Sequence, residues 1–108
     1  MDLQKTQSGE TLHIALDGAL DIYAVGDLAT QLRPVLTQNH RVELDLRGVE
    51  ELDGAGLQLL MALKGGSAAA GCKIVFSAHS SAVIHALELC RLLPYFGDPV
   101  LLSSEGKP

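Results

Sequence analysis

Between residues 41 and 70 the chain changes its hydrophobic period once, and that change restricts the fold more than any other feature. Residues 41–46 alternate strictly, with Val42, Leu44 and Leu46 on one side and Arg41, Glu43 and Asp45 on the other, as a half-buried strand does. From Leu57 to Ala70 the chain is rich in Leu, Ala and Met, all good helix formers. A short junction, ELDGAGL over 51–57, joins the two. A strand passing straight into a helix is the repeating step of an α/β fold.

The same step recurs on either side. Leu12, Ile14 and Leu16 alternate within 11–17 as a strand does, and Gly18 is expected to break it. Residues 24–38 space Val25, Leu28, Leu32, Val35 and Leu36 as one face of an amphipathic helix, with Gln31 and Arg33 toward water. Pro34 falls inside that pattern and forfeits a backbone hydrogen bond, so a bend or an early frayed end is expected. In the second helix Gly65 and Gly66 weaken the middle, so the helix either stops there or runs on to a cap at Gly71. CKIVFS, 72–77, is a β-branched and aromatic run of the buried-strand kind. Ser80 or Ser81 can cap a third helix carrying Val83, Ala86, Leu87, Cys90 and Leu93, which Pro94 and Gly97 end. Residues 100–102 add an edge strand or simply pack down.

Crossover helices between successive strands imply parallel neighbours, with room for an antiparallel amino-terminal hairpin before the first helix. The expected architecture is an α/β single domain over 1–108, a central and mostly parallel sheet of four to five strands with helices packed on it. Residues 1–2 and 103–108 are expected to be disordered. The length of 108 residues, 47% of them hydrophobic, suits one core and not two.

Charge and motif content exclude several functions. With 13 acidic against 8 basic residues the chain carries −5 and has no clustered Lys/Arg stripe, so nucleic acid and anionic membrane surfaces are poor ligands for it. The amino terminus is polar, and no apolar run approaches the roughly 20 residues of a membrane span; a soluble, cytoplasmic protein is expected. Cys72 and Cys90 belong to no CxxC pair and are expected to be buried thiols. His13, His40, His79 and His85 have no i, i+4 pair for a metal. Ser80 and Ser81 beside His79 read as capping residues, since no G-x-S-x-G elbow accompanies them. DGAG lacks the longer glycine patterns that cradle nucleotide phosphates. No catalytic group, cofactor or metal is expected, because nucleophile, base and oxyanion donor cannot be assembled from these residues. Asp45, Glu50, Glu51 and Asp53 gather around the junction as a solvated edge or helix-start preference. Asp53 itself suits the amides of a helix start, while Gly54 and Gly56 permit unusual dihedrals or close backbone packing.

Three stretches carry a resemblance. GALD at 18–21, VELDLRGVEELDGAGLQLLMAL at 42–63 and KIVFSAHSSAVIHALELCRL at 73–92 closely resemble a STAS domain, the family of the bacterial anti-sigma factor antagonists, over nearly the whole chain. The most specific part is the strand with an apolar-Asp-apolar end, a short loop, and D-x-x-G-L opening the second helix. In that family the pattern is D-S-x-G-L or D-T-x-G-L, and the residue after the aspartate is phosphorylated by a partner kinase of the histidine-kinase-like ATPase fold. The unphosphorylated form binds that kinase, which is also an anti-sigma factor, and so frees the sigma factor. Asp53, Gly56 and Leu57 match the motif, whereas Gly54 holds the acceptor position and has no hydroxyl. A phosphate there would add about −1.5 to −2 charges; glycine cannot take one.

The resemblance implies a non-catalytic interaction module that docks through Asp21, Asp53, Gly54, Ala55, Gly56 and Leu57 and the exposed side of the second helix. Its expected partner is an anti-sigma factor/serine kinase of the ATPase fold or a regulator phosphatase. A second expectation is a STAS subunit of a lipid or anion transport complex, partnered by an ABC transporter ATPase, where a phosphorylatable residue is less expected. A third is a small-ligand or nucleotide sensor using the helix amino terminus as an anion site. Ser67, Ser77, Ser80 and Ser81 are alternative acceptors, each also explicable as a surface, strand-end or capping residue.

Overall fold

The structure, a computed structural model, describes residues 1–90, apart from the side chains of 67–70. Seven elements follow one another: β1 (Asp2–Ser8), β2 (Thr11–Leu20), α1 (Val25–Gln38), β3 (Arg41–Leu52), α2 (Gly54–Ala70), β4 (Lys73–His79) and α3 (Ser81–Leu89). The strands form one sheet in the order β1-β2-β3-β4. β1 runs antiparallel to β2, and β2, β3 and β4 are parallel. The expected mixed α/β sheet is therefore present, with four strands and three helices among the described residues. Its first strand is the one that polar composition hides, since six of the seven β1 residues are exposed.

The alternation read from the sequence decides which side of the sheet is dry. Leu12, Ile14 and Leu16 of β2, Val42, Leu44 and Leu46 of β3, and Ile74 and Phe76 of β4 are buried. They share one core with Leu28, Leu32 and Val35 of α1, Leu57, Leu60 and Leu63 of α2, and Val83 and Leu87 of α3. Each such side chain contributes roughly 1.5–3 kcal/mol on burial, so no polar contact among the described residues rivals this cluster. The alternate residues Thr11, His13, Ala15, Glu43 and Asp45 are only half-buried. Among them His13 Nδ1 lies 3.4 Å from Glu43 Oε1, and Arg47 Nη2 lies 3.1 Å from Asp45 Oδ2.

Several expectations need correction. Gly18 does not break β2, which continues to Leu20; the glycine sits at φ +110°, next to a register shift between Gly18 and Ala19. A left-handed φ of that kind is open to glycine at little cost, so the strand is kinked at the point where the sequence suggests an end. Pro34 does not end α1 early, because its flanking neighbours Leu32 and Val35 are buried and hold the turn through to Gln38. Thr37 Oγ1 and Asn39 Nδ2 then donate to the Pro34 and Val35 carbonyls, 3.0 and 3.1 Å away. Nor does Gly65–Gly66 stop α2, which reaches Ala70. Lys64, just before the pair, lies with its Nζ 5.3 Å from the Phe76 ring centroid and 3.5 Å from the Ile74 carbonyl, tying this part of the helix to β4.

Cys72 is buried as expected, and burial pushes its thiol pKa up. Cys90 is exposed: α3 ends at Leu89, and Cys90 is its C-cap, so the apolar stripe does not extend to it. Residue 1 is exposed, while Asp2 pairs with Asp17 and belongs to the sheet. Leu93, Pro94, Gly97, the 100–102 segment and the 103–108 tail lie outside the described residues. No helix among the described residues is long and apolar enough to cross a membrane.

Candidate functional site

Two bulges set the site. β2 and β3 pair in plain register from Thr11↔Arg41 to Ala15↔Asp45, but then Asp17 pairs with Gly48 and Ala19 with Glu51. At each shift β3 uses one residue more than β2, which bends the strand and re-aims its remaining side chains. The buried series of β3 shows the same event, since Leu46 is succeeded by Val49 rather than by residue 48. The two strands finish level, with Leu20 opposite Leu52. Asp21 and Asp53, the next residues of each strand, therefore leave the sheet side by side.

Asp53 closes the junction with four groups. Its backbone N–H donates to the Leu20 carbonyl at 3.4 Å, and its carbonyl accepts from Leu57 N–H at 2.9 Å. Its Oδ1 accepts from Gly56 N–H at 2.9 Å, which makes Asp53 the N-cap of α2. The second oxygen reaches out of the helix: Oδ2 accepts from Ile22 N–H at 3.0 Å, across 31 residues of sequence. One carboxylate thus joins the loop after β2 to the start of α2. The Gly56 amide above all, with those of Ile22, Ala55 and Asp53 itself, holds the Asp53 carboxyl below its ordinary 3.8, against an opposing push from desolvation.

Asp21 organises the other half. Its Oδ1 accepts from Tyr23 N–H at 3.0 Å and Ala24 N–H at 3.1 Å. Its carbonyl accepts from Ala24 and Val25 N–H at 3.0 and 3.1 Å. α1 has no side-chain cap of its own, and this turn delivers the chain into it. As a result Ile22 and Tyr23 project outward, 64% and 92% exposed, from a backbone pinned by two carboxylates.

The residues expected at a docking surface divide into two groups. Asp53 and Gly54 are exposed, and Asp21 and Ala55 are half-buried. Gly56 and Leu57 are buried, Leu57 at 8% exposure, and face the core. The two glycines of DGAG differ for steric reasons. A Cβ at Gly56 would overlap the Leu20 carbonyl oxygen and press on the Leu52 and Leu20 side chains at 2.8 and 2.9 Å. A Cβ at Gly54 would meet nothing within 4 Å. Space for a hydroxyl is present at position 54, and only the side chain is missing.

The exposed face of α2 continues from Gly54 through Gln58, Ala62 and Gly65, a low surface without charge. Ser80 is buried and caps α3 through its Oγ, which accepts from Val83 N–H at 3.2 Å. Ser77 Oγ donates to the Leu44 carbonyl at 3.4 Å. Ser81 is exposed in the first turn of α3, and the Ser67 side chain lies outside the described atoms. Among the described residues no group of three His, Cys, Asp or Glu side chains could hold a metal ion.

Ile22 and Tyr23 are exposed beside this joint, and sequence reasoning does not single them out. The signal is partial: Ile22 continues the even-numbered alternation of Leu12, Ile14, Leu16 and Leu20 and so reads as one more core position, whereas Tyr23 falls out of step with it.

Solved structures share this fold. SpoIIAA, an anti-sigma factor antagonist, in its unphosphorylated form superposes with a TM-score of 0.73 at 19% identity, over 96% of this chain and 91% of that one. The phosphorylated Bacillus SpoIIAA gives 0.69 at 18%, over 96% and 95%. An anti-sigma factor antagonist from Mycobacterium paratuberculosis gives 0.74 at 16%, over 96% and 87%. At such identities the likeness is one of fold. No curated protein is matched significantly by the sequence. The family model described as "Mlab, STAS domain" matches residues 3–93, and the chain belongs to the STAS domain family.

Proposed function

We propose that this STAS domain is a non-catalytic docking module, similar to an anti-sigma factor antagonist, that cannot be phosphorylated at the family's acceptor position. The observation that carries the reading is the double use of the Asp53 carboxylate, which welds the β2–α1 turn to the start of α2 at 3.0 and 2.9 Å. Gly54 stands exposed on that joint with open space above it. Asp21, Asp53, Gly54 and Ala55 form the surface a partner touches; Gly56 and Leu57 hold it in place from beneath. The partner is an anti-sigma factor/serine kinase of the histidine-kinase-like ATPase fold, or a regulator phosphatase. With no oxygen at position 54 the joint stays in its partner-competent form, because the roughly −1.5 to −2 charges of a phosphate never arrive.

A second reading is favoured by a specific observation. The matching family model is described as Mlab and not as an anti-sigma factor antagonist, and Gly54 removes the switch that an antagonist uses. A STAS subunit seated on the ABC ATPase of a lipid or anion transport complex needs a standing interface and no phosphorylatable hydroxyl.

Affinity capture from the source cells with the native chain and a Gly54→Glu variant tests both. The glutamate has room to point outward and places a negative charge at the joint. Loss of an ATPase-fold kinase or a phosphatase from the Gly54→Glu capture supports the first reading, and loss of an ABC ATPase supports the second. A capture unchanged by the substitution removes the docking surface altogether.

A further inference from the structure

We infer that Ile22 and Tyr23 are the anchor of the docking surface, and that the partner receives them in an apolar pocket bordered by Lys and Arg. The inference rests on the docking reading above and specifies the chemistry of its partner.

Two observations and one general tendency lead there. Large apolar side chains exposed to water are few among the described residues, namely Met1, Ile22, Tyr23 and Leu89, and two of these are neighbours at the site. Both have backbone amides fixed by carboxylates, Ile22 by Asp53 and Tyr23 by Asp21, each at 3.0 Å. Ordering a loop on binding costs free energy, and here the ordering is already done by the fold. Tyr is over-represented among the few interface residues that dominate affinity, since it buries much area with few torsions.

Charge selects the partner. The last residues of β2 and β3 and the chain that follows them, 20–32 and 50–63, contain Asp21, Asp27, Glu50, Glu51 and Asp53 and no Lys or Arg. Asp21 and Asp27 line the same groove as Tyr23, and the Asp53 carboxylate lies on the Ile22 amide, so each member of the apolar pair has acidic groups beside it. A second copy of this chain would bring two such acidic sets face to face, and like charges across an interface repel. A different protein with basic residues around an apolar pocket satisfies both the apolar centre and the charged rim.

The test begins with a photo-crosslinking benzoylphenylalanine placed at Tyr23 in the full chain, and at Leu89 as a control, in the source cells. The crosslinked partner peptide is sequenced, and the purified partner is titrated against the native chain, Ile22→Ser, Tyr23→Ser and Gly54→Glu at low and high salt. The expected results are an adduct from position 23 and not from 89, on a peptide with apolar residues flanked by Lys or Arg. Tyr23→Ser should weaken binding about 30-fold or more, with unchanged thermal unfolding, and affinity should fall as salt rises. If both serine variants bind like the native chain while Gly54→Glu does not, the anchor is wrong and the docking reading stands. If all three bind alike, both fail. An adduct with a second copy of this chain, an acidic or wholly polar peptide, salt-independent affinity, or no adduct at position 23 each overturns the inference.

Discussion

The starts of α2 and α3 solve the same problem in opposite ways. Each follows a parallel strand, and each is capped by the side chain of the residue just before the helix: Asp53 for Gly56 N–H at 2.9 Å, Ser80 for Val83 N–H at 3.2 Å. Ser80 is buried, and its hydroxyl serves an amide of its own turn. Asp53 is exposed and has a second oxygen, which it gives to a loop 31 residues away. The third position of the helix differs in the same sense. At α3 it is Val83, a side chain in the core; at α2 it is Gly56, whose missing side chain lets the helix backbone approach the Leu20 carbonyl. A cap that serves only its helix stabilises the fold, whereas a cap that also ties a neighbouring loop builds a surface.

Giving α2 a side chain at that third position breaks the comparison most severely. Gly56→Ala must drive a methyl into the Leu20 carbonyl and against Leu52, and the strain should cost about 3 kcal/mol. Urea unfolding measures it, and a loss under about 1 kcal/mol, below the usual range for overpacking, would show that the helix can lift off β2 freely. Next comes Ser80→Ala, which leaves the Val83 amide without its cap and should cost about 1 kcal/mol. Its hydrogen exchange should rise at Val83 and stay unchanged at Ile22, whose amide is held by Asp53 instead. Faster exchange at Ile22 in this variant would mean that the two helix starts are coupled.

Gly54→Ala should move stability the other way. Position 54 is exposed, helical and open, and its φ lies outside the left-handed region. Alanine there should stabilise by about 0.5 kcal/mol through helix propensity and a smaller unfolded ensemble. A destabilised Gly54→Ala protein would show that glycine is kept for the fold; a stabilised one leaves the missing side chain to be explained by function.

These glycines also mark how far the sequence is legible. The strands with one wet and one dry face, around Leu12 and Leu44, are legible from period two because burial on a single face imposes it. β1 is legible only as room for an antiparallel amino-terminal hairpin, which it forms with β2; its bounds are not, since an edge strand with an exposed side chain at nearly every position has no apolar period to detect. The continuation of β3 from Arg47 to Leu52 is hidden for a related reason. Its bulges change the apolar spacing from two to three at Leu46, Val49 and Leu52, which looks like a loop until the partner strand is seen. Pro34 and Gly65–Gly66 look like stronger breakers than they are, because local propensity is weaker than the packing of Leu32, Val35 and Leu63. At the site, Asp53 is legible as a helix cap from its place at the head of DGAG. Its tie to Ile22 is not, because it joins residues brought together only by the level finish of β2 and β3.

Acid separates the two caps by their chemistry, with the smallest effect of the set. The Asp53 carboxyl is held below its ordinary value in the folded chain, chiefly by the Gly56 amide. A lowered folded pKa means that the unfolded chain takes up a proton first. Its stabilising contribution is therefore complete above the unfolded value near 3.8 and is lost as pH falls from there through the lower folded value. The Ser80 hydroxyl has no charge to lose in this range. Urea midpoints for the native chain, Asp53→Asn and Ser80→Ala, taken from about pH 7 down to about pH 2.5 to bracket the carboxylate range, should show two patterns. The gap between the native chain and Asp53→Asn narrows below about pH 4, and the gap to Ser80→Ala stays level. Asparagine keeps one acceptor for Gly56 but turns an amide donor toward the Ile22 N–H, so above about pH 4 the variant lacks the tie while keeping the cap. A constant gap for Asp53→Asn across the whole range would mean that the carboxylate charge contributes nothing to the joint, and that any advantage of Asp53 over Asn lies in its hydrogen bonds alone.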